Sequence, residues 1–130
     1  MIKLPNYPKN GHHLEDGKRI KENMFCRLLP YDDFLNYLEK YYKDNESRTI
    51  GLMCDYILYL HSKNWNNKIV EFIKVLMTRT IPLSVVQTVL FVTSKIKNDE
   101  LKEARFEYAM HIKKAFPKVK DIEKIIQNIL

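Results

Sequence analysis

Apolar residues recur along this chain at the spacing of amphipathic helices, and the recurrence itself repeats about every 34 residues. One apolar-periodic run begins at Tyr31, a second follows Trp65, and a third begins at Leu101. The Lys-Asn pair at 97–98, just before the third run, repeats the pair at 63–64. Residues three and four apart share one face of an α-helix, so each run predicts a helix with one buried side. A fixed period of this length is typical of stacked helical pairs.

The runs and their breaks predict an all-α fold of three antiparallel helical hairpins, over 31–62, 65–95 and 98–130. Pro30 and Pro82 each stand where a helix is expected to begin, because proline is tolerated in the first turn. The layout is similar to a short HEAT-like array, whereas the small residues and aromatic pattern of tetratricopeptide repeats are absent. The alternative is an irregular bundle of six or seven helices in which the 34-residue echo is accidental.

The first 30 residues predict an arm and a capping helix. Prolines 5 and 8 and glycine 11 favour an extended arm over 1–12. A helix is expected within 13–29, so residues 13–130 would form a single helical domain. Four apolar residues of this first helix share one side and are expected to face the core: Ile20, Met24, Phe25 and Leu28.

Composition favours a soluble protein of a reducing compartment. The 130 residues contain only three glycines, too few for the tight turns of an all-β fold. Cys26 and Cys54 are too few for a disulfide framework or a zinc signature, so both are expected to be buried free thiols. The N-terminus lacks the apolar core of a signal peptide, and no apolar stretch is long enough to span a bilayer. The chain is therefore expected to be cytoplasmic.

Sequence patterns for catalysis are missing. The chain has no glycine-rich phosphate loop, no nucleophile elbow and no His-Glu-x-x-His motif. His12 and His13 are adjacent and cannot share a helix face, His61 is expected to pack or cap at a helix end, and His111 is expected to be exposed. We therefore expect no enzyme activity, no metal site and no cofactor. An enzyme whose site the sequence does not reveal is the remaining alternative.

Acidic and tyrosine side chains share one flank of the helix that begins at Tyr31. With 100° between successive residues, this flank lies beside the apolar stripe, and acidic and tyrosine residues of the next helix follow it. Tyrosine supplies rigid contact area and carboxylates supply charge complementarity, so the flank is typical of a docking site for a basic partner. The alternative is that the tyrosines cap the core edge with their hydroxyls in water. The predicted contact residues are Asp33, Tyr37, Tyr41, Asp44, Asp55 and Tyr59.

The formal charge of +6 is unevenly distributed. Residues 31–64 carry −2, whereas residues 95–130 carry +3. The basic C-terminal part gives a second hypothesis, a helical-repeat module that binds nucleic acid through phosphate contacts. Glutamates and aspartates alternate with these lysines, a mixture more typical of a solvated face with local ion pairs. The candidate residues are Lys95, Lys97, Lys113, Lys114, Lys118 and Lys120.

In size, composition and the acid-tyrosine pattern over 31–59, the chain resembles bacterial immunity proteins, including those of contact-dependent growth inhibition systems. The abundance of lysine, isoleucine and asparagine, typical of an AT-rich gene, fits a bacterial source. The resemblance implies a non-enzymatic protein that neutralises a cognate toxin, such as a nuclease, by covering its active site. Many immunity proteins that block nucleases are acidic, and this chain departs from them with its net positive charge. No motif of the family assigns a role to an individual residue.

Overall fold

A computed structural model of the chain describes residues 16–116 together with 123, 124 and 127. The described residues form helices and loops without a strand, so the prediction of an all-α fold is confirmed. The arm predicted over 1–12 and most of the last predicted helix lie outside the described residues, as do Lys118 and Lys120. The helices are α1 (Asp16–Arg27), α2 (Tyr31–Tyr42), α3 (Glu46–Ser62), α4 (Asn66–Met77), α5 (Leu83–Ser94) and α6 (Asp99–Ala115).

Asparagine side chains begin two of the helices. The Asn98 side chain accepts a hydrogen bond from the backbone N–H of Leu101 at 3.0 Å, as its predicted capping role requires. Asn45 does the same before α3, where its Oδ1 accepts from the backbone N–H of Arg48 at 3.1 Å. Each bond pairs an N–H that has no partner within the helix, a contribution of about 1 kcal/mol per cap.

A left-handed residue ends α3. Asn64 has φ 60°, a region that asparagine tolerates better than most residues with a side chain. The backbone N–H of the next residue, Trp65, donates to the carbonyl of Leu60 at 2.9 Å, which closes the last turn. The chain therefore turns sharply between the end of α3 and the start of α4.

The chain divides into two compact units, Met1–Tyr56 and Ile57–Leu130. In the first unit, α1, α2 and the N-terminal part of α3 enclose an aromatic core. The ring of Phe34 stacks on that of Tyr56, with centroids 4.1 Å apart and planes 7° from parallel. The buried apolar residues of this unit are Cys26, Leu29, Phe34, Leu35, Tyr37, Leu38, Tyr42, Leu52, Met53 and Tyr56.

In the second unit, α6 packs against both α4 and α5. The sequence of α5 is rich in β-branched residues, yet it forms the helix that its length and preceding proline predict. The buried hydroxyl of Thr93 donates to the carbonyl of Val89 at 2.7 Å, so this polar group is paired within its own helix. None of the described helices combines the length and the apolar character that crossing a membrane requires.

Candidate protein-binding surface

Helix α1 turns a different side to the core from the one predicted. Ile20, Met24 and Leu28 are 59%, 56% and 75% exposed, whereas Glu22 is fully buried. The prediction that these three apolar residues face the core is therefore wrong, and Phe25 is only half-buried. The helix exposes its apolar stripe and buries a carboxylate, the reverse of what hydrophobic burial alone would favour.

The reason is a polar network around Glu22 that joins the three helices of the first unit. The hydroxyls of Tyr37 and Tyr42 on α2 each donate to Oε2 of Glu22 at 2.5 Å. Nε and Nη2 of Arg48 on α3 donate to Oε1 at 3.0 and 2.7 Å, and Nη2 also donates to Oδ1 of Asn23 at 2.8 Å. A buried carboxylate is costly unless its oxygens are paired. Because these bonds require Glu22 to face inward, they fix the rotation of α1.

Two further contacts hold the end of α1 in the same orientation. The guanidinium of Arg27 binds Asp55 on α3 through two hydrogen bonds, from Nε at 3.0 Å and from Nη2 at 2.7 Å. The hydroxyl of Tyr56 donates to the carbonyl of Leu29 at 2.7 Å, just beyond the helix. Paired Arg–carboxylate bonds are geometrically specific, so they restrain the helix more tightly than a single contact would.

The network overturns part of the predicted contact flank. Tyr37 is fully buried, so the prediction that it offers contact area to a partner is wrong. Burial and its hydrogen bond to Glu22 raise the pKa of Tyr37 well above its ordinary value, which keeps the hydroxyl protonated as a donor. Asp55 is half-buried and paired with Arg27, a role that the sequence pattern did not reveal. These side chains stabilise the first unit from within.

The other predicted contact residues are at least partly accessible, but the described contacts do not bring all of them together. Asp33 and Asp44 are exposed, at the start of α2 and just after its end. Tyr41 is half-buried, with its ring 4.9 Å from that of Tyr37. Tyr59 belongs to the second unit, where its ring meets the edge of Trp65 at 6.2 Å. For Asp33, Tyr41, Asp44 and Tyr59 the role in partner contact stays a prediction.

Sequence periodicity missed the Glu22 network because an isolated glutamate in a helix is usually solvated. The available signal was indirect: buried tyrosine hydroxyls need partners, and α2 and α3 carry several tyrosines close to the apolar stripe. Arg48 was a second indirect signal, because its guanidinium also needs hydrogen-bond acceptors.

Three exposed apolar side chains on and just after α1 make up what we call the α1 stripe: Ile20, Met24 and Leu28. Ile20 and Met24 are four residues apart on one side of α1, about 6 Å along its axis, and Leu28 follows directly after the helix ends at Arg27. Lys18, Arg19 and Lys21 on the same helix are also exposed, so the described exposed charges of α1 beside the stripe are basic. An exposed apolar patch with a polar rim is typical of an interaction site.

The structure describes four of the six lysines of the nucleic-acid hypothesis: Lys95, Lys97, Lys113 and Lys114. Lys95 places its ammonium 4.8 Å from the centroid of the Phe91 ring. Lys113 pairs with Glu123 at 2.5 Å, and this pairing lowers the pKa of the Glu123 carboxyl. Lys97 and Lys114 are exposed. Nucleic-acid binding by these residues stays a prediction.

Histidine, cysteine and carboxylate side chains do not assemble into a metal site in the part of the chain that the structure describes. Nδ1 of His61 lies 3.1 Å from Oδ1 of Asn66, which fits the packed role expected for this residue. His111 is exposed, as expected. Cys26 is buried and Cys54 half-buried, and both are free thiols.

Comparison with known proteins finds one short similarity. A segment of 43 residues, 33% of this chain, is 42% identical to ubiquitin carboxyl-terminal hydrolase 47 of Xenopus tropicalis. The chain spans 3% of the length of that protein. No protein-family model matches the chain, and no solved structure matches it significantly.

Proposed function

We propose that this chain is a non-enzymatic protein-binding domain that docks on its partner through the α1 stripe. The observation that carries the proposal is the outward orientation of the stripe, which the hydrogen bonds accepted by Glu22 and those donated by Arg27 maintain. Leaving three large apolar side chains in water forgoes about 1.5–3 kcal/mol for each that could be buried. A partner that covers them recovers this free energy on binding.

The partner that fits this surface is a protein with an apolar groove and an acidic rim. Ile20 and Met24, about one helical turn apart on α1, and Leu28 just after the helix supply anchors for the helix-in-groove mode of recognition. Exposed Lys18, Arg19 and Lys21 favour carboxylates around the groove. The same charges oppose pairing of the α1 stripe with that of a second copy, because the basic residues of two helices would then lie close together.

The more specific form of the proposal is the immunity protein implied by the resemblance, which binds a cognate toxin and covers its active site. An all-α fold and an exposed apolar stripe fit such a role. Asp33 and Asp44 are exposed and would add attraction to a basic region of the toxin. The internal role of Tyr37 removes one of the residues on which the acid-tyrosine resemblance was based.

The docking proposal is tested with the partner that co-purifies with the full chain and is identified by mass spectrometry. Leu28→Lys and Met24→Lys place a charge in the α1 stripe without touching the core. Leu58→Lys is the matched control, because Leu58 is a similarly exposed leucine on α3. We expect the stripe variants to raise the dissociation constant at least about tenfold, which corresponds to about 1.4 kcal/mol of binding free energy. The control should leave the dissociation constant within about twofold of its original value. Equal affinities for Leu28→Lys and the intact chain would refute docking through α1.

The immunity form is tested separately by co-expression with the product of the adjacent gene. Protection of growth that requires this chain would support a toxin partner, and charge reversal at Asp33 and Asp44 should then weaken protection. A neighbouring product that is neither toxic nor bound contradicts the immunity role while leaving docking through α1 open to the affinity test.

A further inference from the structure

A cavity of about 370 Å³ lies within the second unit, between the loop after α4 and the last turns of α6. This volume is within the range of about 300–1,000 Å³ that small-molecule sites occupy. Apolar side chains from α4, α5, α6 and the loop before α5 line it, including Met77, Ile81, Val86 and Ile112. The cavity is therefore large enough and apolar enough to hold the body of a small ligand.

Tyr108 supplies an unusual polar group in this lining. Its side chain is almost fully buried, and its hydroxyl has no hydrogen-bond partner in the described structure. Leaving a buried hydroxyl unpaired costs about 1–3 kcal/mol, and a bound partner for this hydroxyl would recover that free energy. Burial also raises the pKa of Tyr108, which keeps the hydroxyl protonated and able to donate. A ligand with an acceptor atom would pair it.

The donors of the lining favour an anion. His111 lies in the lining beside Tyr108, and none of the described lining residues is acidic. The imidazole ring of His111 lies 6.4 Å from the ring of Tyr108, so both side chains belong to the same end of the cavity. A carboxylate accepts stronger hydrogen bonds from such donors than a neutral acceptor does, so the unpaired Tyr108 hydroxyl favours an anionic group.

The geometry points to a binding site in this cavity for a small carboxylate with an apolar or aromatic body. The apolar body occupies the space lined by Ile81, Val86 and Ile112, and the carboxylate accepts hydrogen bonds at the end that holds Tyr108 and His111. This site belongs to the second unit and does not depend on docking through the α1 stripe. Failure of either proposal leaves the other standing.

The probes are phenylacetate and its neutral isostere phenylacetamide, titrated into the isotopically labelled full chain. We expect phenylacetate to shift the backbone amide signals of residues 77–81 and 108–116, and phenylacetamide to bind at least fivefold more weakly. The highest phenylacetate concentration tested is about 10 mM, which is on the order needed to detect weak fragment binding. If no signal in these segments shifts at that concentration, the proposed site is wrong. Equal binding of the two probes would overturn its preference for an anion.

Two variants and one control variant locate the probe. Ala115→Trp fills the cavity from an exposed lining position and should abolish the shifts, whereas Met110→Trp, exposed on the same helix outside the lining, should keep them. Tyr108→Phe should weaken phenylacetate binding at least threefold while the free chain remains as stable as before or becomes more stable. Unchanged binding by Ala115→Trp or by Tyr108→Phe contradicts the proposal.

Discussion

The carboxylate of Glu22 on α1 is bound by the guanidinium of Arg48 on α3, with Nη2 2.7 Å from Oε1. Glu22 has no exposed surface, and the Arg48 side chain keeps only 12% of its own. A buried ion pair of this kind contributes less to stability than its Coulomb energy indicates, because both groups lose their hydration. Its larger effect here is orientation: with Glu22 inside, the α1 stripe has to face outward.

Glu22→Gln should destabilise the first unit strongly. The amide keeps the shape of the side chain but leaves the charge of Arg48 without its counterion, and the two tyrosine hydroxyls lose a charged acceptor. Breaking one half of a buried pair costs about 3–5 kcal/mol, which urea unfolding followed by circular dichroism will measure. The control is Glu39→Gln on the exposed side of α2, expected within about 0.5 kcal/mol of the unaltered chain. If Glu22→Gln lowers the unfolding free energy as little as the control does, the ion pair does not anchor α1.

The sequence predicted the helices well and the orientation of α1 poorly, for a physical reason. Periodicity reports which side of a helix is apolar, and for α2 and α4 the apolar side is the buried side. In α1 a few strong polar contacts outweigh that preference, and they involve residues 15 to 26 positions away from Glu22. Such long-range pairing leaves no periodic signal along one chain. The same limit explains why Tyr37 was predicted to be a surface contact.

Two buried tyrosines provide a matched comparison of satisfied and unsatisfied hydroxyls. Tyr56→Phe removes a donor to the carbonyl of Leu29 and leaves that buried oxygen unpaired, so we expect a loss of about 1–3 kcal/mol in unfolding free energy. Tyr108→Phe removes a hydroxyl that has no described partner, so stability should stay the same or rise. Both variants keep the ring and its packing. Equal losses in thermal and urea unfolding would show that the Tyr108 hydroxyl is paired in solution.

The left-handed conformation of Asn64 predicts an ordering of substitutions at the end of α3. Asn64→Gly should keep or slightly raise stability, because glycine adopts φ 60° without a steric penalty. Asn64→Ala should lower the unfolding free energy by about 1 kcal/mol, since a left-handed residue with a Cβ is disfavoured by roughly 1–2 kcal/mol. Asn67→Ala, at an exposed position within α4, is the control and should be neutral or mildly stabilising. An alanine at 64 that is tolerated as well as the glycine would show that the turn relaxes.

Stability should fall as the pH rises above about 9, because several buried groups resist ionisation in the folded state. Burial, reinforced by the charge of Glu22, raises the pKa of the Cys26 thiol from 9.0 to about 12. Burial likewise raises the pKa of four tyrosines above their ordinary value of 10.0: Tyr37, Tyr42, Tyr56 and Tyr108. Between the two pKa values of each group the unfolded chain holds fewer protons than the folded one, so raising the pH favours unfolding.

The loss should begin near pH 9 with Cys26 and steepen above pH 10 as the tyrosines join. Each fully shifted group contributes up to about 1.4 kcal/mol per pH unit within its window. The urea concentration at the unfolding midpoint should be measured from pH 7 to pH 11. These groups should leave it unchanged up to about pH 8, and above that pH it should decline. Cys26→Ala should flatten the decline between pH 9 and pH 10, a change of slope that is independent of any packing loss the substitution causes. A midpoint that holds constant to pH 11 would show that these hydroxyls and the thiol ionise as readily in the folded chain as in the unfolded one.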